Sequence, residues 1–180
     1  MTEPMFWSEL DPGRLDRDRE EIAAVAPGLT YFAAGVERET GLAFHGGWQG
    51  TLPRWPFERP KPAGLDALTD GQDLEILLVY PASYPMVPPR VHPTNPKPLA
   101  IEHSDQVWHV APAGHLCLLQ SDGDWVPEAS IGDLIIKAAG WRIEYALMKT
   151  GKIERMTING IVSDPILDHL IDSSPGPADD

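Results

Sequence analysis

Proline decides where regular structure can lie in this chain. Of the 180 residues, 19 are proline, and most fall in three passages, residues 53–71, 80–91 and 93–107. Each proline lacks an amide donor and fixes its own φ, so helices and sheet ladders are pushed into the intervals between. The first passage, with Pro53, Pro56, Pro60, Pro62, Gly64 and Gly71, reads as a loop. The second reads as an extended, rigid path leading to Val91, which opens another strand. The third, interrupted by Pro93, Pro96 and Pro98, reads as irregular.

The intervals carry clear patterns. Residues 12–26 place Leu15, Ile22 and Val25 on one helical face, with Arg14, Asp16, Arg17, Asp18, Arg19, Glu20 and Glu21 largely elsewhere. Pro27 and Gly28 stop that helix. Residues 29–37 and 42–51 carry strand formers around a turn at Thr40-Gly41, and the simplest reading is a hairpin. Residues 73–80 read as a buried strand, because Leu74, Ile76, Leu77, Leu78 and Val79 leave little room for a polar face.

A long helix is expected over residues 131–149, with Ser130 as N-cap and Asp133 in the capping-box position. Gly140 weakens it locally. Residues 153–162 are a strand or an extension, and residues 165–171 one short helix. Residues 1–172 are read as one domain, and 173–180 as a flexible or docked acidic tail too poor in apolar residues to fold alone.

Charge and cysteine usage exclude several functions. A formal charge of −13 with no basic cluster argues against nucleic acid and anionic membranes as partners. The single cysteine, Cys117, cannot make an internal disulfide, no export signal opens the sequence, and the apolar runs are too short to span a bilayer. The expected location is the cytoplasm.

Cys117 stands in Gly114-His115-Leu116-Cys117-Leu118-Leu119. A lone cysteine beside leucines is ordinarily a buried, unreactive residue. Its surroundings change that reading. Residues 80–91 run Tyr-Pro-Ala-Ser-Tyr-Pro-Met-Val-Pro-Pro-Arg-Val, with Tyr84, Pro85, Pro88 and Pro89 at the fixed positions of a pattern aromatic-Pro-x-x-Tyr-Pro-x-x-Pro-Pro-x-Val. Gly114 precedes Cys117 by three positions, Leu116 and Leu118 flank it, Trp125 follows eight residues on, and Pro127 comes two after that.

Together these residues resemble the ubiquitin-conjugating enzymes, over residues 12 to about 149. The resemblance implies an α+β, UBC-like fold: an N-terminal helix, a four-stranded antiparallel meander, a proline-rich loop, an active-site cysteine segment, a long crossover helix and reduced C-terminal helices. It implies that Cys117 carries a protein C-terminus as a thioester, received from an adenylating enzyme or domain and passed to an amine or other nucleophile on a target protein. No cofactor is implied. The proline content, the altered signature upstream of the cysteine and the trimmed C-terminal end look like the bacterial branch found in antiphage operons. There the carried group is a ubiquitin-like protein or, in CBASS systems, the C-terminus of a nucleotidyltransferase.

Two departures shape the expected site. The family's His-Pro-Asn signature is replaced by Val107-Trp108-His109, which sets His109 where the family has an oxyanion-stabilising asparagine. A neutral imidazole can donate one N–H, or can take the proton of an incoming amine; a structural role beside Trp108 is the third reading. After residue 151 the family's further helices are not recognisable, so the acidic residue that orients the attacking lysine has no match. Asp122, Asp124 and His115 are candidates for orienting the substrate. Cys117 is expected at the lip of a shallow groove under the proline-rich passage, with Arg14, Arg17 and Arg19 diluted by acidic neighbours on the partner-docking helix.

Three other readings compete. His103, His109, His115 and Cys117 suit zinc by type, but no second cysteine or regular ligand spacing supports a metal. A cysteine hydrolase using Cys117 with His109 or His115 is chemically possible. An inactive binding module of the same fold would not need the cysteine.

Overall fold

The computed structural model describes residues 4–173, with the side chain of Asp122 excepted. The tail expected at 173–180 therefore lies, from residue 174 onward, outside the described residues. Two helices open the fold, α1 (Trp7–Leu10) and α2 (Pro12–Val25). Asp11 caps α2 by accepting from the Arg14 amide at 3.0 Å, and Pro12 occupies the first turn, where its missing N–H costs nothing.

The expected hairpin is present but broken into two parts. β1 (Leu29–Phe32) pairs with β4 (Gly47–Thr51), while β2 (Gly35–Val36) and β3 (Ala43–Phe44) form a separate two-stranded tip. The break falls where the backbone must approach closely: a Cβ on Gly47 would lie 2.0 Å from the Leu78 carbonyl oxygen. β5 (Glu75–Val79) and β6 (Arg90–Asn95) complete an antiparallel sheet in the order β1-β4-β5-β6. The class is α+β, with five α-helices among the described residues.

Several expectations are corrected. β6 runs through Pro93 to Asn95, whereas residues 93–107 were expected to be irregular from the start; as an edge strand it tolerates a residue with no amide to donate. The loop at 53–71 contains a single helical turn, α3 (Leu65–Leu68). β5 is covered on one face only, with Ile76 and Leu78 buried and Leu77 and Val79 half-buried, because the helices pack on one side of an antiparallel sheet. Residues 80–91 are not extended throughout. They fold through turns at 82–86, where the Ser83 carbonyl accepts from Met86 and Val87 at 2.8 and 3.3 Å.

The long helix α4 (Ile131–Lys149) is buried nearly all round. Its Ile131, Leu134, Ile135 and Ala138 share one core with Leu15 and Ile22 of α2 and with Trp48, Ile76, Leu78 and Val91 of the sheet. Full burial of each large aliphatic side chain contributes roughly 1.5–3 kcal/mol. Ser130 caps α4, accepting from the Asp133 amide at 3.1 Å, but the reciprocal partner is not Asp133. Glu21 of α2 supplies it, accepting from Ser130 Oγ at 2.8 Å and from the Gly132 amide at 3.1 Å.

Residues 153–162 form neither strand nor helix. They cross α4 as an irregular strap anchored by buried Met156 and Ile161, and a Cβ at Gly140 would meet Ile161 and Val162 side-chain carbons at 3.2 and 3.1 Å. Gly140, costly for the helix, is thus what lets the strap lie close. A 3-10 turn (Pro165–Leu167) and α5 (Asp168–Asp172) follow, at the position expected for a short helix.

Candidate active site

The segment carrying Cys117 is a tight hairpin hung on the edge of the sheet. Leu116 donates to the Val91 carbonyl of β6 at 2.8 Å, Ala111 to His115 and Gly114 to Ala111 at 2.8 Å each, and Cys117 to His109 at 2.8 Å. Gly114 turns the hairpin with φ +87°, a conformation that glycine adopts without a Cβ penalty. Val110 and Leu116 form the bridging pair and are both buried. By the period of two, the next pair, His109 and Cys117, belongs to the opposite face.

His109 has φ +50°, the left-handed region, uncommon for a residue with a side chain. Its neighbours hold it there. Ser104 accepts at its carbonyl from Trp108 and Val110, and Trp141 Nε1 of α4 donates to the Trp108 carbonyl at 2.8 Å.

Cys117 is half-buried and lines an open groove of about 1220 Å³. His109, Asp105 and Asp124 line the same groove, with Lys137 and Glu144 of α4 and the strap residues 155–164 as the far wall. No residue of the proline-rich passage lines it, and neither does His115. The strap returns to the cysteine because Met156 donates to the Val107 carbonyl at 3.1 Å, Gln120 bridges to Asn159 at 3.0 Å, and both Thr157 donors bond Glu144.

The nearest side-chain partner of the sulfur is one the sequence reading missed. Cys117 Sγ donates to Asp105 Oδ1 at 3.5 Å. Asp105 lies twelve residues upstream on an irregular loop, so no period or spacing pointed to it. Partial burial, with the Asp105 carboxylate adding to it, pushes the Cys117 thiol up to about 12. Burial lowers the His109 imidazole, with Asp105 opposing. At neutral pH the site therefore holds a thiol and a neutral imidazole, not a thiolate–imidazolium pair.

The other sequence candidates divide. Asp124 lines the groove, its carboxylate accepting from the Ser121 amide at 2.8 Å and its own amide donating to the Ser121 carbonyl at 3.1 Å. Asp122 sits in the adjoining 3-10 turn, and its side chain lies outside the described residues. His115 is half-buried, its ring 5.9 Å from that of His92, with Nδ1 unpaired. Burial lowers its pKa, assisted by Arg90. Among the described residues no three of His, Cys, Asp and Glu converge to hold a metal ion, so His103, His109, His115 and Cys117 form no coordination set.

A comparison with protein-family models and with curated proteins finds no match for this chain.

Hydrogen bonds hold Tyr84, Pro85, Trp125 and Pro127 among the motif residues. Trp125 Nε1 donates to the Pro85 carbonyl at 2.8 Å, and Arg14 Nη1 to the Pro127 carbonyl at 2.6 Å. Tyr84 and Pro89 are buried and Pro88 half-buried. Arg14 and Asp18 are themselves 6% and 0% exposed, although the helical pattern assigned them to the polar face. Arg14 is therefore withdrawn from any docking surface; Arg17 and Arg19 stay partly exposed, paired with Glu21 and Asp16. Among the described residues no helix is long and apolar enough to cross a membrane.

Proposed function

We propose that this chain is an acyl carrier of the ubiquitin-conjugating type, with a UBC-like fold. Cys117 takes the C-terminus of a partner protein as a thioester from an adenylating enzyme or domain, then passes it to an amine or other nucleophile on a target. One observation carries the reading: Cys117 is half-buried at the wall of an open groove roomy enough for an extended peptide, rather than sealed in the core.

The chemistry of the groove favours acyl transfer over hydrolysis. A cysteine hydrolase needs a thiolate poised beside a protonated imidazole. Here burial and Asp105 hold the thiol up at about 12 and burial lowers His109, so the resting pair is uncharged. A thioester arriving or leaving is already activated, and positioning with one oxyanion donor suffices. His109 supplies that donor or accepts the amine proton, and Asp124 lines the approach.

The carried group is a ubiquitin-like protein or the C-terminus of a CBASS nucleotidyltransferase, and the setting is antiphage defence in the bacterial cytoplasm. This part rests on the motif resemblance at Tyr84-Pro85, Pro88-Pro89, Gly114, Cys117, Trp125 and Pro127.

The test uses a peptide bearing a C-terminal thioester as donor. An adduct on Cys117 that is released by excess thiol, absent in Cys117→Ala, and discharged by a lysine derivative is expected. Steady hydrolysis of the donor without an adduct would identify a hydrolase and sink the proposal.

A further inference from the structure

We propose that Asp105 receives the proton of the Cys117 thiol as an acyl group is loaded, and that the same contact ties up the sulfur at rest; the inference rests on the thioester reading above. Among the described residues, Asp105 is the side chain within hydrogen-bond reach of Sγ, at 3.5 Å. It is exposed and lines the same groove, so an incoming acyl donor meets the thiol and the carboxylate together. The other titratable and charged groups of the groove are His109, Asp124, Lys137, Glu144, Arg155 and Asp164. None of these six is hydrogen-bonded through its side chain to the sulfur.

The balance of the step is simple. With a thioester donor, Sγ attacks the carbonyl carbon while its proton passes to Asp105 Oδ1. The new C–S bond forms, the old C–S bond breaks, and the departing thiolate takes the proton from Asp105. Nothing is oxidised or reduced. The carboxylate thus acts as a relay between entering and leaving sulfur, a role within the usual reach of general base catalysis.

The resting state has a separate consequence. A carboxylate beside a part-buried thiol disfavours the thiolate, and only the thiolate reacts readily with alkylating agents and oxidants. Cys117 is thereby shielded from indiscriminate chemistry, yet remains open to a donor that arrives with the relay in place.

Two rates separate this role from a merely electrostatic one: alkylation by iodoacetamide at pH 7.5, and loading from the C-terminal peptide thioester. Loss of the charge in Asp105→Asn raises thiolate population, so alkylation should quicken about 10-fold. Loss of the relay should slow loading by about 100-fold, with partial recovery in Asp105→Glu. Opposite movement of the two rates is the expected signature. Loading that stays level or rises with alkylation in Asp105→Asn overturns the assignment and leaves the thioester reading intact. Loading lost only in His109→Gln moves the proton to the imidazole and also overturns it. A wild-type protein that is alkylated but never loaded removes the thioester reading itself, and the inference with it.

Discussion

Arg14 donates two hydrogen bonds to the hydroxyl of Tyr84, from Nε at 2.9 Å and from Nη2 at 2.6 Å. A guanidinium on the first long helix thus fixes the proline-rich passage. The same side chain reaches the Pro127 and Ala129 carbonyls, and Tyr84 and Tyr80 both donate to Asp18 Oδ2, at 2.7 and 2.9 Å. Asp18 Oδ1 lies 3.0 Å from Arg14 Nε without a hydrogen bond, because the Nε hydrogen points to Tyr84. The charge pair is therefore held by contact and by the tyrosine between them.

Breaking this cluster should be among the costliest single changes in the protein. Arg14→Ala leaves Asp18 as an uncompensated buried charge and two carbonyls unpaired, for an expected loss of about 3–5 kcal/mol. Tyr84→Phe removes only the bridging hydroxyl and should cost about 1–3 kcal/mol. Urea unfolding of both variants checks the order.

Acid should unfold the protein partly through Glu102. Burial works to raise this carboxyl, but Lys149 Nζ at 2.5 Å, the Leu99 amide at 2.9 Å and Tyr145 Oη at 2.7 Å outweigh it, so its pKa is lowered. A lowered folded-state value contributes stability that is fully present above the unfolded value, near 4.5, and is lost as pH falls through the folded one. Glu102→Gln should therefore be less stable at pH 7 and lose less on going from pH 5 to pH 3. Urea midpoints at both pH values measure it.

The thiol should titrate far above the ordinary cysteine range. With Cys117 pushed up to about 12, its alkylation rate should still climb between pH 8 and pH 10.5 with no plateau. A plateau near pH 8.5 would show that neither the burial of the thiol nor its contact with Asp105 holds in solution.

The strap that forms the far wall of the groove hangs on two anchors. Arg59 pairs with Asp168 through Nε at 2.8 Å and Nη2 at 3.0 Å, and donates to the Val162 and Ile161 carbonyls. Glu144 accepts from the amide and hydroxyl of Thr157. Arg59→Lys cannot reproduce the fork and should speed amide exchange at 157–168 while leaving β4 and β5 protected. Hydrogen exchange resolved by segment tests this.

Much of the layout was legible because it depends on local rules. Pro27-Gly28 ends α2, Ser130 opens α4, and the segments expected as strands at 42–51 and 73–80 contain β4 and β5, which pair. Errors arose where a neighbour supplied what the local pattern lacked. Arg14 and Asp18 look like polar-face residues until Tyr80 and Tyr84 satisfy them in the interior. Ser130 appeared to need Asp133, whereas Glu21 from another helix completes the cap. Pro93 looks like a breaker until β6 proves to be an edge.

The sequence by itself determined which residue types stand at which intervals: a lone cysteine in a glycine-turned segment, prolines that forbid helix on either side, and a long apolar helix beyond. Those are short-range consequences of backbone geometry and side-chain shape. Only the tertiary structure decided what faces the sulfur. Asp105 reaches it from twelve positions away, and the strap closes the groove from beyond α4. Such contacts follow from long-range packing against a shared core, which leaves no period in the chain to read.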